Sequence, residues 1–162
     1  MSRNIKIVFL ITFLLSLFGL GVSIYLTLTH FFSSSIPLAC SDTGLINCAK
    51  VTTSPQSKLL GIPVAVLGLV FYIPMCYLCF PKTWTSRSKN IAVVRQIYSV
   101  MGILFVIYLI SMELLVIKNI CLWCTSVHIA TFILFILITA SWNYTGWNLT
   151  TVSKNQKPQR IA

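Results

Sequence analysis

Cys121-Leu122-Trp123-Cys124 opens the last apolar run of the chain, and only a short polar break at Lys118-Asn119 comes before it. Two thiols three residues apart in the first turn of a helix lie near unpaired backbone N–H groups and the positive end of the helix dipole. Both effects stabilise the thiolate, which is the reactive form of cysteine. The pair therefore favours redox chemistry, although two small apolar side chains packed in a membrane helix would give the same pattern.

A second pair, Cys40 and Cys48, lies in the most polar segment of the first half of the chain. One interpretation is a structural disulfide that closes this loop. The other is a relay, in which the loop pair reacts with an external dithiol and passes electrons to the helix pair through a mixed disulfide. Four thiolates could also bind zinc, but the gap between Cys40 and Cys48 is longer than the usual spacing of about two to four residues. We therefore expect no metal site.

The composition is that of a membrane protein. The chain has 162 residues, of which 57% are hydrophobic and 9% are charged, whereas soluble domains carry about 25% charged residues. The net charge of +10 does not indicate nucleic-acid binding, because the basic residues flank apolar runs. Charge in these positions orients membrane helices. One domain is expected at this length.

Four apolar runs predict an all-α bundle of transmembrane helices. Each is at least as long as the roughly 20 residues needed to cross about 30 Å of hydrocarbon. The predicted spans are residues 5–32, 59–80, 91–117 and 121–142, within a transmembrane domain of residues 1–142.

The segments between these runs are polar. In the loop 33–58, Ser54 followed by Pro55 is typical of a helix start and predicts a short helix. Pro63 can open the second span, and Pro74 predicts a kink inside it. The tail 143–162 is polar and basic.

The distribution of charge predicts the orientation of the spans. One side of the membrane would hold nine cations and no acid: Arg3, Lys6, Lys82, Arg87, Lys89, Arg95, Lys154, Lys157 and Arg160. The positive-inside rule places that side, with both termini and the basic tail, in the cytoplasm. The loop 33–58 and the Cys121 end of the last span then share the extracytoplasmic, oxidising side, where disulfides persist. We expect the membrane to be the plasma membrane.

Several polar side chains lie within the apolar runs. His128 follows Cys124 by four residues, one helical turn deeper, and could donate a hydrogen bond to a quinone carbonyl; a histidine satisfied by a neighbouring carbonyl is the alternative. Quinones dissolve in the leaflet next to the helix pair, so they are the expected electron acceptor. Glu113 and Arg95 are interpreted as residues that extend to the membrane interface. Cys76 and Cys79 are expected to be packing residues.

An ordered set of motifs resembles the vitamin K epoxide reductase family. The set consists of Cys40-x7-Cys48, Ser54 six residues later, Gly61-Ile62-Pro63, Gly68, and Cys121-x-x-Cys124 at the start of the last span. The resemblance covers about residues 8–142.

This resemblance implies a four-helix bundle around a quinone pocket, capped by the extracytoplasmic loop and its short helix. It implies that Cys40 accepts electrons from a thioredoxin-like partner and that Cys48 passes them to Cys121. Cys124 would face the quinone, and Ser54 would order the loop helix near the pocket. The implied cofactor is a quinone of the ubiquinone, menaquinone or vitamin K type.

Two departures favour the microbial members of the family, which form disulfides at the expense of quinone. The inner part of the second span has Tyr72, Cys76 and Tyr77 where the vertebrate enzymes have a quinone-binding asparagine, and His128 replaces a tyrosine. A tail of 20 residues is too short for a fused thioredoxin-like domain, so a separate thioredoxin-fold protein is the expected partner. Thiol-driven reduction of vitamin K epoxide is the enzymatic alternative. The second alternative is a non-enzymatic scaffold protein with structural disulfides.

Overall fold

Six α-helices, a 3₁₀ turn, a π-helical turn and a two-stranded hairpin make up the described part of the chain. A computed structural model describes residues 3–32, 38–40, 43–85 and 89–142, so the predicted tail 143–162 and parts of the loop 33–58 lie outside it. The elements are α1 (Arg3–Phe31), α2 (Cys48–Thr53), the 3₁₀ turn (Pro55–Ser57), β1 (Lys58–Leu59), β2 (Ile62–Pro63), α3 (Val64–Leu78), α4 (Pro81–Thr85), α5 (Lys89–Ser111), the π turn (Met112–Ile117) and α6 (Leu122–Trp142).

Three helices are long and apolar enough to cross a membrane, which fits an integral membrane protein. They are Lys6–Phe31, Asn90–Ile117 and Leu122–Trp142, close to the predicted first, third and fourth spans. The apolar helix α3 has 15 residues, which gives it a length of about 22 Å against a hydrocarbon thickness of about 30 Å. Its role as a fourth span remains a prediction.

The second helix begins later than predicted because residues 58–63 form a hairpin. Lys58 pairs with Pro63 and Leu59 with Ile62, in an antiparallel register. The two residues of the turn, Leu60 and Gly61, have φ values of 53° and 84°. Positive φ at both central positions is typical of a type I′ hairpin turn, and glycine adopts it without strain. The predicted start at residue 59 is therefore wrong, and α3 begins at Val64, directly after Pro63.

The described part of the loop contains a helix that precedes the predicted one. In α2, Asn47 is the N-cap, and its side chain accepts a hydrogen bond of 2.7 Å from the backbone N–H of Lys50. Ser54 ends this helix, with its hydroxyl donating to the Val51 carbonyl at 2.8 Å. The helix predicted to begin at Ser54-Pro55 is only the three-residue 3₁₀ turn, and Ser54 makes no side-chain cap for it.

The helices pack around a core at the end of the bundle where α1 begins and α6 ends. Helix α1 packs against α3 and α6, and α5 packs against α6. The buried residues of this core are Phe9, Tyr72, Met75, Cys79, Trp84, Leu134 and Ile138. The prediction that Cys79 is a packing residue is confirmed, and both Cys79 and Cys76 are free thiols.

Arg95 does not extend to the membrane interface, so that expectation is wrong. Its side chain is 2% exposed. The guanidinium lies 3.3 Å from the centre of the Trp84 ring and donates a hydrogen bond of 3.1 Å to the carbonyl of Leu78. A cation over an aromatic face and a carbonyl at a helix C-terminus both favour positive charge. These contacts hold Arg95 inside the bundle and join α5 to the end of α3.

Candidate functional site

A short backbone bridge brings the two predicted cysteine pairs to the same end of the bundle. The N–H of Ile120 donates to the Leu45 carbonyl at 2.9 Å, and the N–H of Asn47 donates to the Ile120 carbonyl at 3.1 Å. Asn47 is followed by Cys48 at the start of α2, and Ile120 is followed by Cys121 at the start of α6. The bridge therefore places the beginnings of the two helices side by side.

Side chains reinforce this bridge on both sides. The Asn119 amide donates to the Gly44 carbonyl at 3.1 Å. Trp123 donates from its indole Nε1 to the Ala39 carbonyl at 2.8 Å, and the N–H of Ala39 donates to the Tyr25 hydroxyl at 2.8 Å. The rings of Tyr25 and Trp123 lie 5.0 Å apart. The chain next to Cys40 is thus held between α1 and α6.

The loop cysteines form a disulfide that packs against Cys121. Cys40 and Cys48 are bonded, with their Cα atoms 6.0 Å apart. Cys48 is 1% exposed and Cys121 is 0% exposed, and they belong to one buried cluster with Val51; the half-buried Cys40 and Cys124 pack against it. The four predicted catalytic cysteines are therefore together, with Cys40 and Cys124 on the more accessible margins of the cluster.

Cys121 sits in an environment that favours its thiolate. It precedes α6 directly, and its Sγ accepts a hydrogen bond of 3.3 Å from the backbone N–H of Cys124. Cys121 is thus the cap of the helix rather than a member of its first turn. The hydrogen bond from the Cys124 thiol lowers the pKa of Cys121 most, and the N–H groups of Cys124 and Trp123 lower it further. Burial and the nearby Glu113 oppose this shift, but the net direction is downward.

A largely apolar cavity lies beside Cys124. It encloses about 990 Å³ of empty space, counting the open space at its mouth. Helices α1, α3, α5 and α6 and the α2 region contribute to its lining. Its lining includes Tyr72, Phe105, Glu113, Cys124, His128 and Thr131.

His128 lines this cavity and is 4% exposed. Among the residues that the structure describes, none forms a hydrogen bond with its ring. A buried polar group without a partner is costly. The alternative interpretation, in which a neighbouring carbonyl satisfies the ring of His128, is therefore wrong. The ring is available to bind a ligand.

Ser54 does not line the cavity. Its hydroxyl bonds to Val51, and its carbonyl accepts the hydroxyl of Ser57 at 2.7 Å. Ser57 does line the cavity. Ser54 therefore links α2 to the 3₁₀ turn. It is joined to the predicted quinone site only through Ser57, to which it is hydrogen-bonded.

Two polar residues of the cavity were not predicted as site residues. The Tyr72 hydroxyl bonds to the Thr131 hydroxyl at 2.7 Å and to the Val127 carbonyl at 3.3 Å. Glu113 is 7% exposed, so the expectation that it extends to the interface is wrong. Its carboxyl interacts with the backbone N–H of Cys121 and the thiol of Cys124. The sequence did contain an indication that Glu113 is functional, because an ionisable side chain inside a predicted membrane span is usually functional.

The lining fits a quinone better than it fits a metal. In the ranges 3–32, 38–40, 43–85 and 89–142, no group of three or more His, Cys, Asp or Glu side chains could hold a metal ion. A quinone ring needs an apolar slot and donors for its two carbonyls. The cavity offers aromatic walls such as Phe105 and several groups that can donate, among them the ring of His128 and the thiol of Cys124.

The comparison with known families agrees with this geometry. The family described as Vitamin K epoxide reductase family matches residues 10–139. A comparison with curated proteins gave no match. The matched range contains both cysteine pairs and most of the length of all four apolar helices. As its motifs predicted, the chain belongs to the vitamin K epoxide reductase family, whose members are oxidoreductases.

Proposed function

We propose that this protein is a thiol–disulfide oxidoreductase that oxidises a separate thioredoxin-fold protein and reduces a membrane quinone. One observation carries the proposal: the Cys40–Cys48 disulfide packs on Cys121, whose partner Cys124 lines an apolar cavity. This continuous series of sulfur atoms joins the loop to the interior of the bundle. Such a series is what an electron relay by disulfide exchange needs.

The exposure of the sulfurs gives the relay its direction. A thiolate of the partner attacks the more accessible Cys40, forms a mixed disulfide and releases Cys48 as a thiolate. The second partner thiol then resolves the mixed disulfide, so the partner leaves oxidised and the loop pair is reduced. Cys48 next attacks Cys121 of an oxidised Cys121–Cys124 pair, and Cys40 resolves that bond. Two electrons have then moved from the partner to the helix pair.

The helix pair is placed to deliver these electrons to the cavity. When bound, the quinone accepts two electrons and two protons and leaves as a quinol. Cys124 holds the reacting sulfur at the wall of the cavity, and Cys121 supplies the thiolate that closes the disulfide. His128 donates a hydrogen bond that orients the quinone. The apolar lining excludes water, which strengthens these polar contacts.

The cysteines are proposed to lie on the extracytoplasmic side of the plasma membrane. Support comes from the sequence, because nine of the 12 Lys and Arg residues would lie on the side of the two termini. A relay that makes disulfides also needs an oxidising compartment on its thiol side. Both termini are then cytoplasmic.

Steady-state reduction of decylubiquinone by the purified protein tests this function. With a reduced thioredoxin-fold protein as the donor, Cys121→Ser and Cys124→Ser should each abolish quinol formation. Cys40→Ser should block the protein donor but spare a small membrane-permeable dithiol, which can reach the inner pair directly. Cys76→Ser serves as the control and should retain full activity.

Full turnover by Cys124→Ser with the protein donor would overturn the proposal. A direct assay of vitamin K epoxide consumption separates the alternative activity of the family, because thiols drive that reaction in the opposite direction. Labelling of the thiols before and after mild reduction distinguishes structural disulfides from disulfides that take part in the relay. Structural disulfides resist the reductant, whereas those of the relay exchange with it.

A further inference from the structure

Glu113 is a carboxyl group inside a membrane-spanning segment, where a charge is costly and usually functional. It lies on the π turn Met112–Ile117 that ends the third span. A π turn inserts one residue into the helix, which rotates the following side chains by about 100° relative to a regular helix. Such turns occur frequently at functional sites. Glu113 lies on this turn and is buried in the bundle.

The contacts of Glu113 are with the reacting groups themselves. Its carboxyl interacts with the N–H of Cys121 and the thiol of Cys124, and it lines the same cavity as His128. No lysine or arginine is among the described residues that line this cavity. The carboxyl therefore has no cationic partner there, and the groups that remain for it are a thiol, an N–H and a ligand in the cavity.

The titratable groups around Glu113 come from three helices. Helix α6 contributes Cys124 and His128, with Cys121 directly before it, α1 contributes His30, and α3 contributes Tyr72. The α2 region contributes Val51, Thr52, Gln56 and Ser57, which do not titrate. Of these groups, the Cys124 thiol and the backbone N–H of Cys121 interact directly with the carboxyl. Once the Cys121 sulfur is bonded in the disulfide, Glu113 is the ionisable acceptor that remains beside the Cys124 thiol.

From this geometry we propose that Glu113 is a catalytic residue that moves the proton of Cys124 to the bound quinone. This rests on the proposed function and adds a proton path to it. Cys121 reacts as a thiolate, having released its proton to water. As the S–H bond of Cys124 breaks, the Glu113 carboxylate takes the proton and the S–S bond to Cys121 forms. Two electrons reduce the quinone, which receives one proton from Glu113 and one from water, so the disulfide and the quinol balance the dithiol and the quinone.

A carboxyl in this place solves a physical problem of the site. The cavity is largely apolar, so a proton passes to bulk water less readily than to a group that already lies beside the thiol. A group already in contact with the thiol can hold the proton for that time. General acid–base groups of this kind contribute on the order of 100-fold or more to a rate.

A single-turnover experiment tests the proposal. The fully reduced protein is mixed anaerobically with decylubiquinone, and quinol formation is followed from acid to alkaline pH. Glu113→Gln keeps the shape of the side chain but cannot take up a proton, so the rate should fall on the order of 100-fold. The pH dependence contributed by the carboxyl should disappear. Glu113→Asp should restore part of the rate and a pH-dependent limb.

Ser99→Ala is the matched control, because Ser99 is also buried on α5 but does not line the cavity. It should react at the rate of the unmodified protein. If the unmodified protein forms no quinol, the proposed function fails. If it forms quinol and Glu113→Gln does so at the same rate with the same pH profile, the role of Glu113 is overturned and the function stands. If Glu113→Gln does not fold, an unchanged rate and pH profile in Glu113→Asp overturns it instead.

Discussion

Replacing Asn119 with alanine should weaken the contact between the two cysteine pairs. The Asn119 amide donates to the carbonyls of Gly44 and Leu45, at 3.1 and 3.4 Å. The first bond is well formed and the second is long. One net hydrogen bond contributes about 1 kcal/mol, and a carbonyl left without its partner adds to the loss, giving about 1–2 kcal/mol. This corresponds to about a 5- to 30-fold change in an equilibrium constant.

The equilibrium to measure is the formation of a disulfide between Cys48 and Cys121. In a protein carrying Cys40→Ser and Cys124→Ser, these two thiols lose their own partners and remain in one buried cluster. Titration with a glutathione redox buffer gives the effective concentration of one thiol at the other. Addition of Asn119→Ala should lower that concentration about 5- to 30-fold, because the start of α2 is held less firmly against Cys121.

Gln96→Ala is the matched control for this experiment. It removes a comparable side-chain bond, from Gln96 to the Thr139 hydroxyl at 3.0 Å, away from the cysteines. In the Gln96→Ala protein, the effective concentration of Cys48 at Cys121 should equal that of the parent protein, which carries only Cys40→Ser and Cys124→Ser. An Asn119→Ala protein that is folded and has an effective concentration within twofold of the parent would refute the reasoning.

Two further predictions concern the core and the thiolate. A Cβ added by Gly19→Ala overlaps the ring of the buried Tyr72, so it should destabilise the protein by about 1–3 kcal/mol in thermal unfolding. Gly21→Ala, whose Cβ meets nothing within 4 Å, should be neutral or stabilising by up to about 1 kcal/mol; equal losses in both would contradict the packing. Because hydrogen bonds lower the pKa of Cys121, its thiolate absorbance should appear below the pH at which an ordinary cysteine ionises. Cys124→Ala removes the strongest of these bonds and should move the midpoint to higher pH; an unchanged midpoint would show that the bond is not formed.

The long apolar helices and the meeting of the cysteine pairs could be predicted from the sequence. Length and hydropathy determine a span, since the bilayer has a fixed thickness. The positive-inside rule predicted that the two cysteine pairs would lie on one side of the membrane, and the family resemblance implied that Cys48 passes electrons to Cys121. The structure places them in one cluster.

The short elements of the loop could not be predicted in the same way. Helix α2 has six residues, too few to be stable alone. It depends on its Asn47 cap and on the bridge from Asn47 to Ile120, which is distant in sequence. The hairpin that begins at Lys58 has only two paired positions, and Leu60 is an unusual residue for a turn with positive φ.

The sequence pattern also could not predict that the side chains of Glu113 and Arg95 point into the bundle. A charged residue near the end of a span has two options, the interface or a partner inside the bundle. Arg95 finds the Trp84 ring and the Leu78 carbonyl, and neither partner is visible from helical periodicity. Glu113 lies on a π turn, which departs from the 3.6-residue period that sequence analysis assumes.

The order in which disulfides form during one quinone turnover tests the relay most directly. Fully reduced protein is mixed with one equivalent of decylubiquinone, quenched with acid at successive times, and its disulfides are mapped by peptide mass spectrometry. The Cys121–Cys124 disulfide should form first, together with quinol, and the Cys40–Cys48 disulfide should follow by exchange. Formation of Cys40–Cys48 before Cys121–Cys124, or quinol without either disulfide, would contradict electron transfer through the helix pair.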